Sequence, residues 1–184
     1  MPTSQTGYLY HRVPEDLKGH ILFPLNQLKS VYPSLYITRV ASYQNREAVM
    51  QARLPILDCL WNDVLHFSPV HPGKIQQALA EAGYARKPRR YYEIDPLKKG
   101  FHATNAVIFL HQRVKREKFQ LEEVDFRVFH LAELSSLGEI PGATVAYYRE
   151  MFEQGKSPLM YLYVPHILYQ GRLDISDVKV IEAF

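Results

Sequence analysis

The sequence predicts one α+β domain covering residues 1–184, and three observations support this. The chain has 184 residues, of which 47% are hydrophobic and 22% charged, the size and composition of a folded chain with a single core. Short apolar segments typical of strands recur along its whole length, whereas helical spacing is concentrated in the first half. The sequence has no glycine-rich turn of the kind that binds phosphates in parallel βαβ folds.

The first third of the chain predicts two strands and two helices. Residues 8–13 are rich in aromatic side chains and are followed by Pro14, which predicts a strand ending there. Residues 25–31 and 44–53 have the composition and apolar spacing of helices. The apolar and aromatic run over 58–67 predicts a second strand.

The clearest helix covers residues 72–82. Pro72 suits the first turn, Ile75 and Leu79 fall on one face, and Gly83 follows the last turn. The remaining predicted elements are one helix, over 144–153, and six strands, over 90–94, 106–111, 126–131, 159–164, 166–169 and 178–182.

The net charge of +3 conceals an uneven distribution. Residues 1–85 carry 7 basic and 6 acidic side chains, residues 86–118 carry 10 and 3, and residues 119–184 carry 5 and 10. A nucleic-acid surface needs cations that neutralise phosphates and rings that stack on bases. We call residues 86–118 the basic segment; its candidate nucleic-acid-binding residues are Arg86, Lys87, Arg89, Arg90, Tyr91, Lys98 and Lys99. The alternative is a pair of solvated loops that flank a strand.

Neither a membrane nor an oxidising compartment is indicated. The first residues lack a basic segment followed by an apolar stretch, and no run approaches the roughly 20 apolar residues of a membrane helix. The single cysteine, Cys59, lies in an apolar run and is expected in the core. We therefore expect a cytoplasmic protein with no membrane partner.

Metal chemistry is not predicted. Asp63, His66 and His71 lie close in sequence, but their spacing does not place all three on one face of a strand. Glu93 and Asp95 with a nearby lysine could hold Mg²⁺ in a nuclease, although an ordinary surface turn explains the same residues.

Three segments resemble ADP-ribosyltransferases of the DarT type, which modify DNA, and the related RNA 2′-phosphotransferases. Residues 8–22 are similar to the first strand and helix of these proteins, residues 52–79 to an arginine, an aromatic strand and a proline-rich turn, and residues 157–181 to the closing strands. The residues that carry the first two matches are Tyr10, His11, Arg12, Val13, Leu17, Ile21 and Leu22, then Arg53, Pro55, His66, Phe67, Pro69 and Pro72.

The resemblance implies a split, mixed β-sheet with flanking helices that holds NAD in a cleft. By position, His11 would hydrogen-bond the ribose on the adenosine side, and the backbone of Arg12 and Val13 would hold the nicotinamide amide. Tyr43 and Phe67 are the candidate rings that stack on nicotinamide, since an aromatic face attracts a cationic ring.

The resemblance also implies a catalytic arginine and a catalytic acid. Arg46 or Arg53 would contact the pyrophosphate or the substrate, because a fork-shaped cation suits a dianion. The family uses a glutamate on a late strand, but this chain has Leu159 or Met160 at that position. Glu153, on the preceding predicted helix, is the candidate acid.

Two functional hypotheses follow. The first is an NAD-binding ADP-ribosyltransferase-like protein that acts on nucleic acid, either as an NAD-dependent enzyme or as a catalytically degenerate relative. The second is a non-catalytic module that binds nucleic acid or a protein through the basic segment. Each candidate also has a structural alternative: His11 as a hydrogen-bonded strand residue, Tyr43 and Phe67 as core rings, and the arginines as solvated side chains.

Overall fold

Short helices and small antiparallel sheets make up the α+β fold that the sequence predicts. The computed structural model describes residues 7–44, 47–110 and 121–184. The α-helices of these ranges are α1 Leu25–Val31, α2 Pro33–Val40, α3 Glu47–Met50, α4 Pro72–Glu81, α5 Leu134–Leu137 and α6 Gly142–Glu153. Within the same ranges, no helix is long and apolar enough to cross a membrane.

The strands are short, and several contain only two residues. They are β1 Leu9–Arg12, β2 Ile21–Leu22, β3 Arg53–Leu54, β4 Cys59–Leu60, β5 Val64–Phe67, β6 Arg89–Ile94, β7 Ala106–Phe109, β8 Phe126–Val128, β9 His166–Gln170, β10 Leu173–Asp174 and β11 Lys179–Ala183. The two larger sheets have the strand orders β1-β6-β11 and β5-β9-β7-β8. Every strand pairing in the described ranges is antiparallel, whereas the resemblance implied a mixed sheet.

The two larger sheets touch at one backbone bridge and then separate. The Tyr10 amide donates to the Ser68 carbonyl at 2.8 Å, and the Ser68 amide donates to the Tyr10 carbonyl at 2.9 Å. The bridge joins β1 to the residue that follows β5, so the antiparallel register places Arg12 opposite His66. The pairing does not continue to that position, and we call the resulting gap between β1 and β5 the split.

The core lies on both sides of this split. One apolar cluster packs between the sheets and includes Leu9, Phe67, Ile94, Ile108 and Ile167, none of which is more than 1% exposed. A second cluster packs α4 against α6. A third lies beneath β4 and contains Cys59, which confirms the sequence prediction, and burial raises the pKa of its thiol to about 11.

Two strand predictions differ from the structure. The run over 58–67 is interrupted by a 3₁₀ turn, Trp61–Asp63, because the Asp63 carboxylate accepts a hydrogen bond from the Leu60 amide at 2.8 Å. The prediction of a strand over 159–164 is wrong, since residues 160–163 form turns and Tyr163 has a φ of 64°. Within this apolar run, Met160, Tyr161 and Val164 pack instead in the second cluster, between α4 and α6.

Helix predictions are correct where a terminus is marked by proline or glycine. Helix α4 begins at Pro72 and is followed by Gly83, whose φ is 112°. Helix α2, which the sequence analysis missed, also begins with a proline, Pro33. The predicted helix over 44–53 is reduced to α3, and two of its residues, 45 and 46, lie outside the described ranges.

We expect Gly83→Ala to destabilise the fold strongly. A Cβ at this position would lie 2.5 Å from the Phe152 ring, in a backbone conformation that L-residues rarely adopt. The positive φ alone costs about 1–2 kcal/mol, so urea unfolding should show a loss larger than this. Gly155→Ala, at φ 65° with open space around it, should show the φ cost alone, and Gly142→Ala should be near neutral. Equal losses at Gly83 and Gly155 would contradict the role of the ring.

Candidate functional site: a cavity beside the split sheet

A side chain replaces the missing backbone pairing at the split. The His11 Nδ1 atom lies 2.8 Å from the His66 carbonyl oxygen. A carbonyl can only accept, so Nδ1 carries the proton and donates. Burial lowers the pKa of His11, and the nearby charge of Arg39 lowers it further. His11 is therefore neutral at pH 7, and its Nε2 is a bare acceptor.

The backbone beside His11 has two different orientations. The Val13 amide donates to the Arg90 carbonyl at 2.9 Å, which turns Val13 towards β6. Antiparallel ladders alternate, so the amide and carbonyl of Arg12 point away from β6, to the side on which Tyr10 meets Ser68. Of the two predicted backbone partners for the nicotinamide amide, only Arg12 is oriented towards the split.

A cavity of about 160 Å³ opens next to His11. Its apolar and aromatic wall includes Leu22, Phe23, Leu28, Tyr32, Leu35 and Tyr43, and its polar wall is formed by His11, Lys18, Arg39, Asn62 and His66. A cavity of about 150 Å³ accommodates a benzene ring. The cavity therefore has room for one planar ring, with the rest of a larger ligand outside it.

Arg39 is the arginine of this cavity, and sequence analysis missed it. The guanidinium donates to both oxygens of Asp16, from Nη2 at 2.5 Å and from Nε at 3.3 Å. These bonds hold the pKa of the Asp16 carboxyl below its usual value. Arg39 lies on α2, and Pro33 at the start of that helix is the signal that would have revealed it.

His66 lies on the same wall as a second neutral imidazole. Burial, with a smaller contribution from His166, lowers its pKa to about 3. Its Nε2 lies 3.4 Å from the Trp61 carbonyl, and its ring centroid lies 4.7 Å from that of the Trp61 side chain. The cavity thus has two uncharged imidazoles on its inner side and two cations, Lys18 and Arg39, of which Arg39 is bound to a carboxylate.

Asn62 completes the polar wall. The residue is 3% exposed and belongs to the 3₁₀ turn before β5. Its neighbour Asp63 is fully engaged, because the carboxylate accepts from the Leu60 amide and from Asn26 Nδ2 at 2.7 Å. The Asn62 Nδ2 atom has no hydrogen-bond partner within the described residues.

The structure places one of the two predicted stacking rings in the cavity. Tyr43 lines it, at the end of the segment that follows α2. Phe67 does not, because it is 1% exposed and its ring packs 5.3 Å from the ring of Phe101 in the core. Phe67 contacts the site only through the ring of His11, also at 5.3 Å.

The residues predicted to be catalytic are not brought together. Arg53 is exposed on β3 and forms an ion pair with Asp58 across the turn to β4. Glu153 is exposed at the last position of α6, outside the cavity lining. Arg46 lies outside the described residues.

The cavity lining has no carboxylate among the described residues. Of the two residues at the position of the family glutamate, Leu159 is exposed and Met160 packs in the cluster between α4 and α6. The Met160 carbonyl accepts a hydrogen bond from the buried Tyr148 hydroxyl. This segment therefore faces the second core cluster, and the candidate acid of the family has no counterpart in the cavity.

The basic segment is partly exposed. Arg86, Lys87, Arg90 and Lys98 are exposed, whereas Lys99 forms an ion pair with Asp177. Residues 111–120, with the remaining cations of the segment, lie outside the described ranges.

The prediction that Tyr91 stacks on bases is wrong. The ring is 1% exposed, and the hydroxyl lies 4.0 Å from the Met160 sulfur. Tyr91 is on β6, the central strand between β1 and β11, and this strand is covered on both faces. Tyr92, which points to the opposite face, is buried as well.

Metal binding has no geometric support in the described ranges, where no three histidine, cysteine, aspartate or glutamate side chains could hold an ion. Asp63 is bound by Asn26, and the His71 Nδ1 atom accepts from the Gly73 amide at 3.0 Å as the N-cap of α4. Each of these residues has a structural role instead.

The chain matches no protein-family model, no curated protein and no solved structure. The interpretation of the cavity therefore depends on its geometry and on the resemblance of its sequence segments.

We expect His66→Gln to weaken the dependence of stability on pH. The folded state keeps His66 neutral down to about pH 3, whereas the unfolded chain takes up a proton near pH 6.5. The free energy of unfolding of the wild type should therefore fall as the pH falls below 6.5, by up to about 1.4 kcal/mol per unit for this residue.

Urea unfolding at pH 7, 6 and 5 measures this effect. In the His66→Gln variant, the free energy of unfolding should change less steeply with pH. The difference corresponds to the uptake of about one proton, or about 1.4 kcal/mol per pH unit. An unchanged slope in His66→Gln would show that His66 is not held neutral.

Proposed function

We propose that the chain is an NAD-binding ADP-ribosyltransferase-like protein whose cleft begins at the split between β1 and β5. One observation carries the proposal: His11, Arg39 and Tyr43 line a single cavity at this split. A histidine, an arginine and an aromatic ring are the residue types that a ribose, a pyrophosphate and a cationic nicotinamide need. The resemblance assigned this histidine and this tyrosine to the site, and geometry adds the arginine.

Different residues of the cavity suit different parts of a dinucleotide. The neutral His11 Nε2 is suited to accept a hydrogen bond from a ribose hydroxyl, and Tyr43 offers an aromatic face. Arg39 would exchange Asp16 for the pyrophosphate, a step open to it because the Asp16 side chain is 47% exposed. Lys18, also in the lining, adds a second cation for the phosphates.

The absence of a carboxylate from the described lining favours binding over rapid transfer. Cleaving the nicotinamide bond develops positive charge on the ribose, and a carboxylate is the group that stabilises such a charge. Glu153 lies outside the cavity, and the segment at Met160 faces the core. The proposed function is therefore NAD recognition with weak or lost ADP-ribosyl transfer.

A nucleic-acid partner is the second part of the proposal. Arg12, Arg89 and Arg90 line a second cleft of about 280 Å³, next to the end of β1, with two carboxylates, Glu182 and Glu15, of which Glu15 forms an exposed ion pair with Arg12. Arg86 and Lys87 are exposed just before this cleft in the sequence. Arg12 lies on β1 beside His11, and Arg89 and Arg90 lie on the neighbouring strand β6, so that cations suited to phosphates come from both strands.

Calorimetry with NAD tests the first part. The wild type should bind, and His11→Ala and Arg39→Ala should each weaken binding by roughly 10- to 100-fold, the usual effect of losing a hydrogen bond to a charged or buried group. Arg53→Ala is the matched control, because this exposed arginine lies outside the cavity and should bind like the wild type. Absence of binding by the folded wild type would refute the proposal.

Nucleic-acid binding should depend on salt and on the basic segment. We expect Arg86→Ala, Lys87→Ala and Arg90→Ala together to weaken binding of a single-stranded oligonucleotide, and to reduce the salt slope by roughly 2, since single strands lose about 0.7 per phosphate contact. Fluorescence anisotropy over a salt series measures both quantities.

The matched control for this measurement is a double variant, Arg149→Ala with Lys156→Ala, which removes two exposed cations from the end of α6. It should retain wild-type affinity. Binding that is insensitive to salt, or equally weak in both variants, would count against the basic segment as the contact surface.

A further inference from the structure

Asn62 differs from the other buried polar side chains near it. Ser68, Asp125 and Thr144 are buried to a similar degree, and each is hydrogen-bonded: Ser68 to Val70, Asp125 to the Glu122 amide and Thr144 to the Leu162 carbonyl. The Nδ2 atom of Asn62 is buried without a partner within the described residues. A buried amide without a partner destabilises the free protein, and such groups in native proteins require an explanation.

The position of Asn62 supplies that explanation. The side chain lines the cavity together with His11, His66 and Val64. Asp63, next to it, is bound by Asn26 on α1, so the 3₁₀ turn is held in place independently of the Asn62 side chain. The fold thus fixes Asn62 in the wall of the cavity and leaves its Nδ2 atom without a partner among the residues that the structure describes.

We infer that Asn62 is the specificity-determining residue of the cavity, and that its amide binds the planar edge of a ring system that offers an acceptor beside a donor. This inference rests on the proposed binding of NAD. It names the part of the ligand that the cavity beside Asn62 would hold. The cavity of about 160 Å³ has room for one ring.

The chemistry of the wall limits what this ring can be. The side chains near Asn62 are apolar or neutral, namely Val64, Leu65 and His66, whereas Arg39 and Lys18 provide charge for phosphates. An asparagine amide has a donor and an acceptor in one plane, and it pairs with the amino and ring-nitrogen edge of adenine. A carboxamide presents the same pair of groups. NAD contains both, one at each end.

The test compares wild type with Asn62→Leu by calorimetry against NAD, ADP-ribose and nicotinamide mononucleotide. Asn62→Leu should bind NAD at least 10-fold more weakly. A matching loss with ADP-ribose, which lacks the carboxamide, identifies the adenine edge. A matching loss with the mononucleotide, and none with ADP-ribose, identifies the carboxamide edge.

The thermal unfolding of the ligand-free protein provides a readout that a structural role would not give. Because Nδ2 has no partner, Asn62→Leu should unfold at a higher temperature than the wild type while binding NAD more weakly. A structural asparagine would show the opposite shift, so a lower unfolding temperature in the free variant overturns the inference.

Controls separate this inference from the proposal on which it rests. Gln76→Leu also removes a buried amide, on α4 and outside the cavity lining, and should leave the affinity for NAD unchanged. Equal NAD affinity of wild type and Asn62→Leu overturns the inference and leaves NAD binding standing. Absence of NAD binding by the wild type overturns both.

If Asn62→Leu does not fold, Asn62→Ala is measured in the same way, and wild-type affinity in that variant overturns the inference.

Discussion

The site depends on one hydrogen bond, from His11 Nδ1 to the His66 carbonyl. In a continuous antiparallel ladder, the backbone of Arg12 would pair at this point, and the two sheets would be one. A side chain takes that carbonyl instead, so the strands are held together without being paired. The ladder ends, the backbone of Arg12 is left facing the gap, and the cavity opens where the next pairs would have formed. The bond also fixes the tautomer of His11, and with it the atom that a ligand would meet.

The electrostatics of the cavity follow from this arrangement. His11 and His66 lie on adjacent strands and are both desolvated, so neither imidazole takes up a proton at pH 7. Protonating His11 would place a positive charge near Arg39, whose own charge is balanced by Asp16. The inner wall therefore stays neutral and suits a ring, while the positive charge of Arg39 lies beside the Asp16 carboxylate. This division corresponds to the two kinds of group in a dinucleotide.

The sequence revealed the site where local signals were sufficient. The strand with His11 and the helix starting at Pro72 were predicted because prolines mark their limits. Arg39 was missed, because which arginine reaches the cavity depends on how α2 packs, which is a long-range property. Tyr91 was misjudged for a related reason: the two neighbours of a strand, and hence its burial, depend on topology and not on its own residues. The segment around Met160 has the apolar composition of a strand but forms turns, because its packing against α4 and α6 through Met160, Tyr161 and Val164 is a long-range property.

The ion pair between Arg39 and Asp16 has a consequence for affinity. In the described arrangement the guanidinium is occupied, so the molecules able to receive a pyrophosphate are those in which the pair is open. Both side chains are partly exposed, and pairs of this kind are worth about 0–1 kcal/mol. The open population is then roughly a sixth to a half of the molecules, and the apparent dissociation constant rises by the inverse of that fraction. Salt should open the pair as it screens the ligand, so the two effects oppose each other. The affinity of the cleft would therefore fall less steeply with rising ionic strength than that of an unpaired arginine site.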